Sequence, residues 1–326
     1  MMPVRQTQSY LRSVFANHGI SPQHRLGQNF LIDLNIHDLI VETAAVSADD
    51  VILEVGSGTG ALTSLMAERG AFVVAVDVDP AMVTLTSEAV AGLSNVRVLH
   101  CDALAGKNRL AADVLDSVRS AMATGTGKEL KLVANLPYHI ATPLIVNLLV
   151  HPETCPDLMV VTIQKELAER FCAPAATSAF GAVSVVIQAL ADVSIERLLP
   201  PTVFWPRPQV DSAVVTIRPS DRKRAAVGDV AWFHEVVRRL FLHRRKGIRH
   251  VMAATWFSGL SKAEVDRWLE AHGLSGKRRA ESLCIDEFLA LARVLRDRRT
   301  DGPVDLTGDP DDSADANAHP ENYGDT

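Results

Sequence analysis

The chain has 326 residues, 47% of them hydrophobic, and a formal charge of −6, enough for one large domain with a smaller one or for two ordinary domains. Its four cysteines, Cys101, Cys155, Cys172 and Cys284, form no C-x-x-C pair, which argues against a disulfide framework or zinc knuckle and fits a reducing cytoplasm. No apolar run approaches the roughly 18 residues that span a bilayer, and the opening MMPVRQTQSYLRSVFANHG lacks the apolar core of a secretory signal, so the chain reads as a soluble cytoplasmic protein.

From 51 to 217, apolar runs alternate with stretches of helical spacing. VILEV, FVVAVDV, VRVLHC, KLVANL, LMVVTIQ and SAVVTI read as strands, and most are continuously apolar, as strands buried on both faces are. ALTSLMAERG and PAMVTLTSEAVAGL read as helices, the second opened by an Asp79 cap and Pro80 at the first helical position. This βα alternation predicts an α/β fold, a doubly wound Rossmann-like domain over residues 1–221. The polar segment SDRKRAAVGD (220–229) marks a boundary. Beyond it WFHEVVRRLFLHRRKGIRHVM places Trp232, Val236, Leu240 and His243 on one helical face, and SKAEVDRWLEAHG and IDEFLALARVL read as further helices. A small all-α domain is therefore expected over 222–299. Residues 300–326 are too poor in apolar side chains to fold. The three segments carry charges of −7, +9 and −8, the pattern of a polyanion-binding module with an acidic appendage.

EVGSGTG follows the first strand of this alternation and precedes a helix. Gly56, Gly58 and Gly60 remove Cβ atoms where backbone must approach a ligand. Asp77 ends the second strand, 21 residues after Gly56, where an acid commonly takes ribose hydroxyls, and Asp102 ends the third strand, within reach of an adenine amino group. The spacing is G-x-G-x-G rather than the dinucleotide G-x-G-x-x-G, and Glu54 sits two residues before the first glycine. An acid beside a diphosphate is unfavourable, whereas S-adenosylmethionine (SAM) carries an ammonium and a sulfonium and no phosphate. The loop therefore resembles that of class I SAM-dependent methyltransferases.

NLPYHIATP (135–143) supplies an amide, a bend and an aromatic ring together. Adenine N6 is a poor nucleophile because its lone pair is delocalised into the ring. Accepting its two N–H bonds at Asn135 Oδ1 and the Leu136 carbonyl would stabilise the developing charge and aim the nitrogen. Pro137 would set the bend and Tyr138 would stack on the base. No metal is required.

Ten ordered segments resemble the ribosomal RNA adenine N6-dimethyltransferases, most closely the small-subunit branch. They include RLGQNFLID (25–33), EVGSGTGALT (54–63), NLPYHIATPL (135–144), FWPRPQVDSAVV (204–215), FLHRRKGIR (241–249) and RAESLCIDEF (279–288). The resemblance implies dimethylation of two adjacent adenosines near the 3′ end of small-subunit rRNA, in ribosome biogenesis, with SAM as cofactor. It adds Asn29 and the Leu31 backbone as cofactor contacts, and Phe204 opposite Tyr138 across the base. Asp77 stands where the family usually has Glu, and His139 where the branch often has Asn.

Arg244, Arg245, Lys246 and Arg249 form one basic cluster, and Lys277, Arg278 and Arg279 another. Such clusters hold phosphates through counterion release. The expected state is a monomer acting on an assembling small subunit. Rival readings are the large-subunit branch associated with macrolide resistance, a DNA adenine methyltransferase, and an assembly factor whose methylation is secondary.

Overall fold

The computed structural model describes residues 6–106, 109–124, 129–257 and 259–296, and the expected tail lies outside them. Helix α1 (Gln8–Asn17) leads to β1 (Phe30–Leu31) and α2 (Leu34–Thr43). Then come β2 (Asp50–Val55), α3 (Ala61–Glu68), β3 (Phe72–Asp77), α4 (Pro80–Ala89), β4 (Val96–His100), α5 (Ala112–Ala123), β5 (Glu129–Asn135), α6 (Tyr138–Val150) and β6 (Leu158–Gln164). Next are α7 (Lys165–Cys172), α8 (Ala182–Leu190), β7 (Ala191–Leu199), β8 (Phe204–Trp205) and β9 (Ser212–Pro219). Helices α9 (Asp221–Val227), α10 (Val230–Phe241), α11 (Ile248–Thr255), α12 (Lys262–Ala271) and α13 (Ile285–Arg296) complete the described chain.

Seven strands form one sheet in the order β4-β3-β2-β5-β6-β9-β7. Pairing is parallel from β4 to β6 and antiparallel where β9 joins β6 and β7. The chain winds outward from β2 to β4 and then returns to β5 beside β2, with Leu53 opposite Leu132. This reversal opens a crevice at the carboxyl ends of β2 and β5, where doubly wound sheets bind ligands. It brings the glycine loop and NLPY together across about 80 residues of sequence.

All six strands read from apolar runs are present. Alternate residues face opposite layers: Leu53, Val55, Val74, Leu132 and Val161 join one core, and Ile52, Val73, Val133 and Val160 the other. Fully burying each such side chain is worth about 1.5–3 kcal/mol. Strand β7 has no counterpart among the apolar runs. It is an edge strand in which buried positions are interrupted by exposed ones such as Asp192, Glu196 and Arg197, so half-solvated pairing replaced the apolar signal.

Two expectations about the helical end need correction. SDRKRAAVGD is mostly helix α9, capped by the Ser220 hydroxyl. Lys223 Nζ reaches Ala191 O at 2.7 Å, and Arg224 Nη2 reaches Leu149 O at 2.6 Å, so its cations serve the carbonyl ends of neighbouring helices. The helix carrying Trp232, Val236 and Leu240 ends at Phe241, leaving His243 in a turn. It breaks because Gly247 pairs with Arg279 and Ile248 N–H donates to Arg278 O at 2.7 Å. A Cβ on Gly247 would lie 2.7 Å from Gly276 O, so the two segments meet closely only because of that glycine. Helices α10, α11 and α13 bury Phe233, Val236, Leu240, Val251 and Phe288 in the same continuous core as one face of the sheet.

Candidate active site

Gly56, Gly58 and Gly60 have φ values of +79°, +57° and +74°, the left-handed region that L side chains rarely adopt. A Cβ on Gly56 would come 2.8 Å from Pro137 Cδ, so the glycine loop and the NLPY bend are in direct contact. The loop spends its amides on the protein. Gly56 and Ser57 N–H both donate to Val76 O (2.8 and 3.2 Å), Gly58 N–H to Asp77 Oδ2 (2.9 Å) and Gly60 N–H to Ser57 O (3.0 Å). A diphosphate would need those donors; an adenosine cofactor without phosphate does not. Gln6, absent from the sequence reading, clamps the loop through its amide on Thr59 O at 2.8 Å and a short contact with the Thr59 hydroxyl.

The cleft above the loop has a cavity volume of about 190 Å³ and takes its walls from residues 26–30, Gly56, Gly58, Asp77, Asp102 and residues 135–140, together with Val78 and Met82. Asp77 lies at its floor, drawn back onto the amides of Gly58 and Asp79 (2.9 and 3.0 Å), and burial raises its pKa. Asp102 is exposed at the rim, with Oδ1 accepting from Leu104 N–H at 2.9 Å.

Glu54 is a correction. Its carboxyl is 2% exposed, is not among the cleft-lining groups, and accepts from the Thr63 hydroxyl of α3 at 2.5 Å. Burial pushes it up to about 8, with the Asp77 charge adding to the rise and Thr63 opposing it. Burial thus favours its neutral form, and the Thr63 bond makes it a brace for α3. The satisfied loop amides and Asp77, rather than Glu54, disfavour a diphosphate.

Asn135 ends β5, and its Nδ2 donates to Asn29 O at 2.9 Å. A carbonyl can only accept, so this bond decides which way the amide points, and Oδ1 is left for the cleft. Leu136 is 2% exposed, with its N–H on Thr162 O at 3.2 Å. Pro137 precedes α6 with φ −57° and ψ 130° and turns the chain out of the sheet. Tyr138 begins α6, and its hydroxyl pairs with Ser212 Oγ at 2.7 Å. Burial raises the phenol pKa, with the Ser212 bond opposing. Ser212, missed in the sequence, is the fully buried first residue of β9; the signal was its place in PQVDS at the start of an apolar run. His139 is exposed in the first turn of α6, with Nδ1 3.4 Å from a Cβ built on Gly27.

The structure does not bring Phe204 to the cleft. Its ring is 3% exposed within the core that holds Leu31, Ile36, Leu199 and Val214, because β8 pairs with β1 and matches Phe204 to Leu31. Leu31 itself is 4% exposed and contributes through this pairing; the cleft wall begins at Phe30. Asn29 does reach the cleft, and its backbone carbonyl is what holds Asn135.

The basic residues divide into two groups. Arg244 binds Glu281 at 2.6 Å and the carbonyls of Ser178 and Phe180, Arg249 binds Asp266 at 2.6 Å, and Arg278 binds Glu287 and Ser282. Arg249 and Arg278 brace the helical unit internally, and Arg244 also ties it to the segment before α8. Arg245, Lys246 and Lys277 are exposed and form no ion pair among the described residues, and Arg279 keeps only a 3.8 Å contact with Glu281. The Gly247–Arg279 bridge sets these four cations on adjoining segments and merges the two clusters. Among the described residues no group of His, Cys, Asp and Glu could hold a metal ion, and no helix is long and apolar enough to cross a membrane.

Sheet order, crossover and glycine loop together define the class I SAM-dependent methyltransferase fold. Two solved structures share it: a dimethyladenosine transferase from Plasmodium falciparum (TM-score 0.64, 21% identity, covering 82% of this chain and 97% of that one) and 23S rRNA methyltransferase ErmE (TM-score 0.57, 21% identity, 82% and 100%). The family described as ribosomal RNA adenine dimethylase matches residues 20–297, and the chain belongs to it. Its relatives include ribosomal RNA small subunit methyltransferase A of Pelotomaculum thermopropionicum, 40% identical over 302 residues and covering 91% of this chain and 99% of the relative. The protein of the same name from Geobacillus thermodenitrificans is 36% identical over 287 residues, covering 87% and 94%.

Proposed function

We propose that this enzyme dimethylates N6 of two adjacent adenosines near the 3′ end of small-subunit ribosomal RNA, with SAM as methyl donor. The observation that carries the reading is the Asn135 amide, oriented by Asn29 O so that an acceptor faces the cleft beside the Leu136 carbonyl and the Tyr138 ring. Relatives covering nearly their whole lengths carry the small-subunit rRNA methyltransferase name, which supports the substrate.

In this reading SAM supplies an electrophilic methyl on a sulfonium. Gly56 and Gly58 leave room for it, Asp77 takes the ribose and Asp102 the adenine amino group. Asn135 Oδ1 and the Leu136 carbonyl accept from N6, and their dipoles stabilise the positive charge that develops there during attack. Tyr138 holds the base face, with its ring pinned by Ser212. The monomethyl product still offers one N–H, so the same pair serves a second transfer. Residues 222–299 act as the RNA-binding unit, with Arg245, Lys246, Lys277 and Arg279 meeting phosphates. We assign the protein to the cytoplasm and a monomeric state.

The test is methyl transfer from labelled SAM to undermethylated small subunits, with large subunits and DNA as parallel acceptors and nucleosides identified by mass spectrometry. Dimethyladenosine confined to small-subunit RNA is expected. Label in large-subunit RNA or DNA would overturn the substrate, and no label despite SAM binding would favour an assembly role.

A further inference from the structure

Residues 26–29 form part of one wall of the cleft, yet no side chain from 21 to 29 is buried. The segment is kept in place chiefly by polar ties, which marks it as easily displaced. Those ties converge on Asp79, a carboxylate 4% exposed that the sequence presents only as a helix cap. Asp79 Oδ1 does cap α4, accepting from Ala81 N–H at 3.0 Å. Its other oxygen, Oδ2, accepts from Gln23 Nε2 at 2.9 Å and Gln28 Nε2 at 2.7 Å. Gln28 Oε1 accepts in turn from Gln23 N–H at 2.7 Å, so the two glutamines and the carboxylate form one closed network. The residue after Gln28 is Asn29, whose carbonyl orients the Asn135 amide.

We propose that Asp79 is a positioning residue: through Gln23 and Gln28 it holds segment 23–29 closed on the cofactor half of the cleft, and through Asn29 it keeps the Asn135 amide aimed. The proposal rests on the SAM-site reading above. Asp79 sits two residues beyond Asp77 and gives it a backbone N–H at 3.0 Å, so the floor of the site and its wall share one anchor. Because the closed segment lines the cleft that would hold the cofactor, binding and closure favour each other. Weakening the anchor therefore raises the SAM concentration needed for closure, while saturating SAM restores the aimed Asn135. The signature is a change in KM for SAM with little change in kcat.

Polarity at the Gln28–Asp79 contact can be broken and then restored without touching the helix cap. Gln28→Glu keeps the acceptor for Gln23 N–H but sets a carboxylate against Asp79 Oδ2. Adding Asp79→Asn then supplies one Nδ2 hydrogen to Glu at 28 and, with the Gln23 amide turned over to present Oε1, the other to Gln23, while Oδ1 still caps α4. Full-length variants are compared at pH 8 by calorimetric SAM titration, methyl-transfer kinetics and thermal unfolding. Gln28→Glu is expected to raise SAM Kd and KM about tenfold, near the value of one charge-assisted hydrogen bond, with kcat within about twofold and the melting temperature unchanged. The double variant is expected to return to within about threefold of wild type. Unchanged SAM affinity in Gln28→Glu, or a loss that Asp79→Asn does not reverse, would overturn the anchor. Failure of the wild-type chain to bind SAM would instead refute the underlying site reading.

Discussion

The Tyr138–Ser212 pair sets the stacking ring, and its energetics follow from unequal burial. Ser212 is fully enclosed at the start of β9, whereas Tyr138 is only partly buried at the cleft. Tyr138→Phe leaves the Ser212 hydroxyl without its 2.7 Å partner where water cannot reach, a cost of about 1–3 kcal/mol. Ser212→Ala leaves a phenol that water can partly serve, so about 1 kcal/mol is lost. Additivity would put the double variant at about 2–4 kcal/mol. Removing both partners instead leaves no orphan, and the double variant should lose only about 1–2 kcal/mol, a coupling of about 1–2 kcal/mol. Urea unfolding of the four proteins measures this cycle. Methyl-transfer kcat/KM should fall a fewfold in each single variant, as the ring loses its tether, against about 5- to 150-fold in Tyr138→Ala, where stacking itself is gone. Additive losses within about 0.5 kcal/mol would show that the two hydroxyls act independently and refute the tether.

Other consequences are open to direct measurement. Asn135→Ala should lower methyl transfer about 10²- to 10³-fold, the usual cost of losing a positioned polar group at a developing charge, with SAM affinity changed far less; parallel losses in both would point to general damage. Replacing Arg245, Lys246 and Lys277 together by Gln should flatten the salt dependence of rRNA binding by roughly 2–3 in log–log slope, whereas Arg244→Ala should lower the melting temperature, since it breaks ties to Glu281, Ser178 and Phe180. An unchanged slope in the triple variant would remove those residues from the RNA surface. His37 is buried on α2, Nδ1 has no hydrogen-bond partner among the described residues, and burial lowers its pKa to about 4 against opposing charges of Asp38 and Asp33. Between pH 6.5 and 4 the unfolded chain binds more protons there, so stability falls with pH by up to about 3 kcal/mol; urea titrations of His37→Leu should show a shallower acid limb. Glu54, raised to about 8, has the opposite sign, and stability associated with its neutral form is lost as pH rises from 4.5 through 8. Glu54→Gln should flatten that alkaline decline, and an unaltered profile would mean that the carboxyl is ionised in the fold.

The sheet was legible where both faces of a strand are buried. VILEV, KLVAN and LMVVTIQ are short and mostly apolar, with β-branched residues in each, as strands in a two-sided core are, and Asp79-Pro80 announced the start of α4. Strand β7 was not legible because edge pairing tolerates charge at every solvent-facing position. The turn at 242–247 was hidden too, since nothing in LHRRKG shows that Gly247 will meet Gly276 O from across the domain.

Sequence alone determined the chemistry available to this protein: three glycines with positive-φ freedom, strand-end acids, and an amide, a bend and a ring in four consecutive residues. These features are local, and local constraints are written in local residues. Tertiary structure decided which of the polar groups are free to act. It committed the Glu54 carboxyl to Thr63, the Arg244, Arg249 and Arg278 guanidiniums to internal partners, and Phe204 to the core. It also turned Asn135 toward the cleft through a carbonyl 106 residues away. A side chain's role depends on which donors and acceptors saturate it. In a doubly wound sheet those partners come from strands and loops distant in sequence, so only the folded arrangement separates the groups that brace the site from those left to do its chemistry.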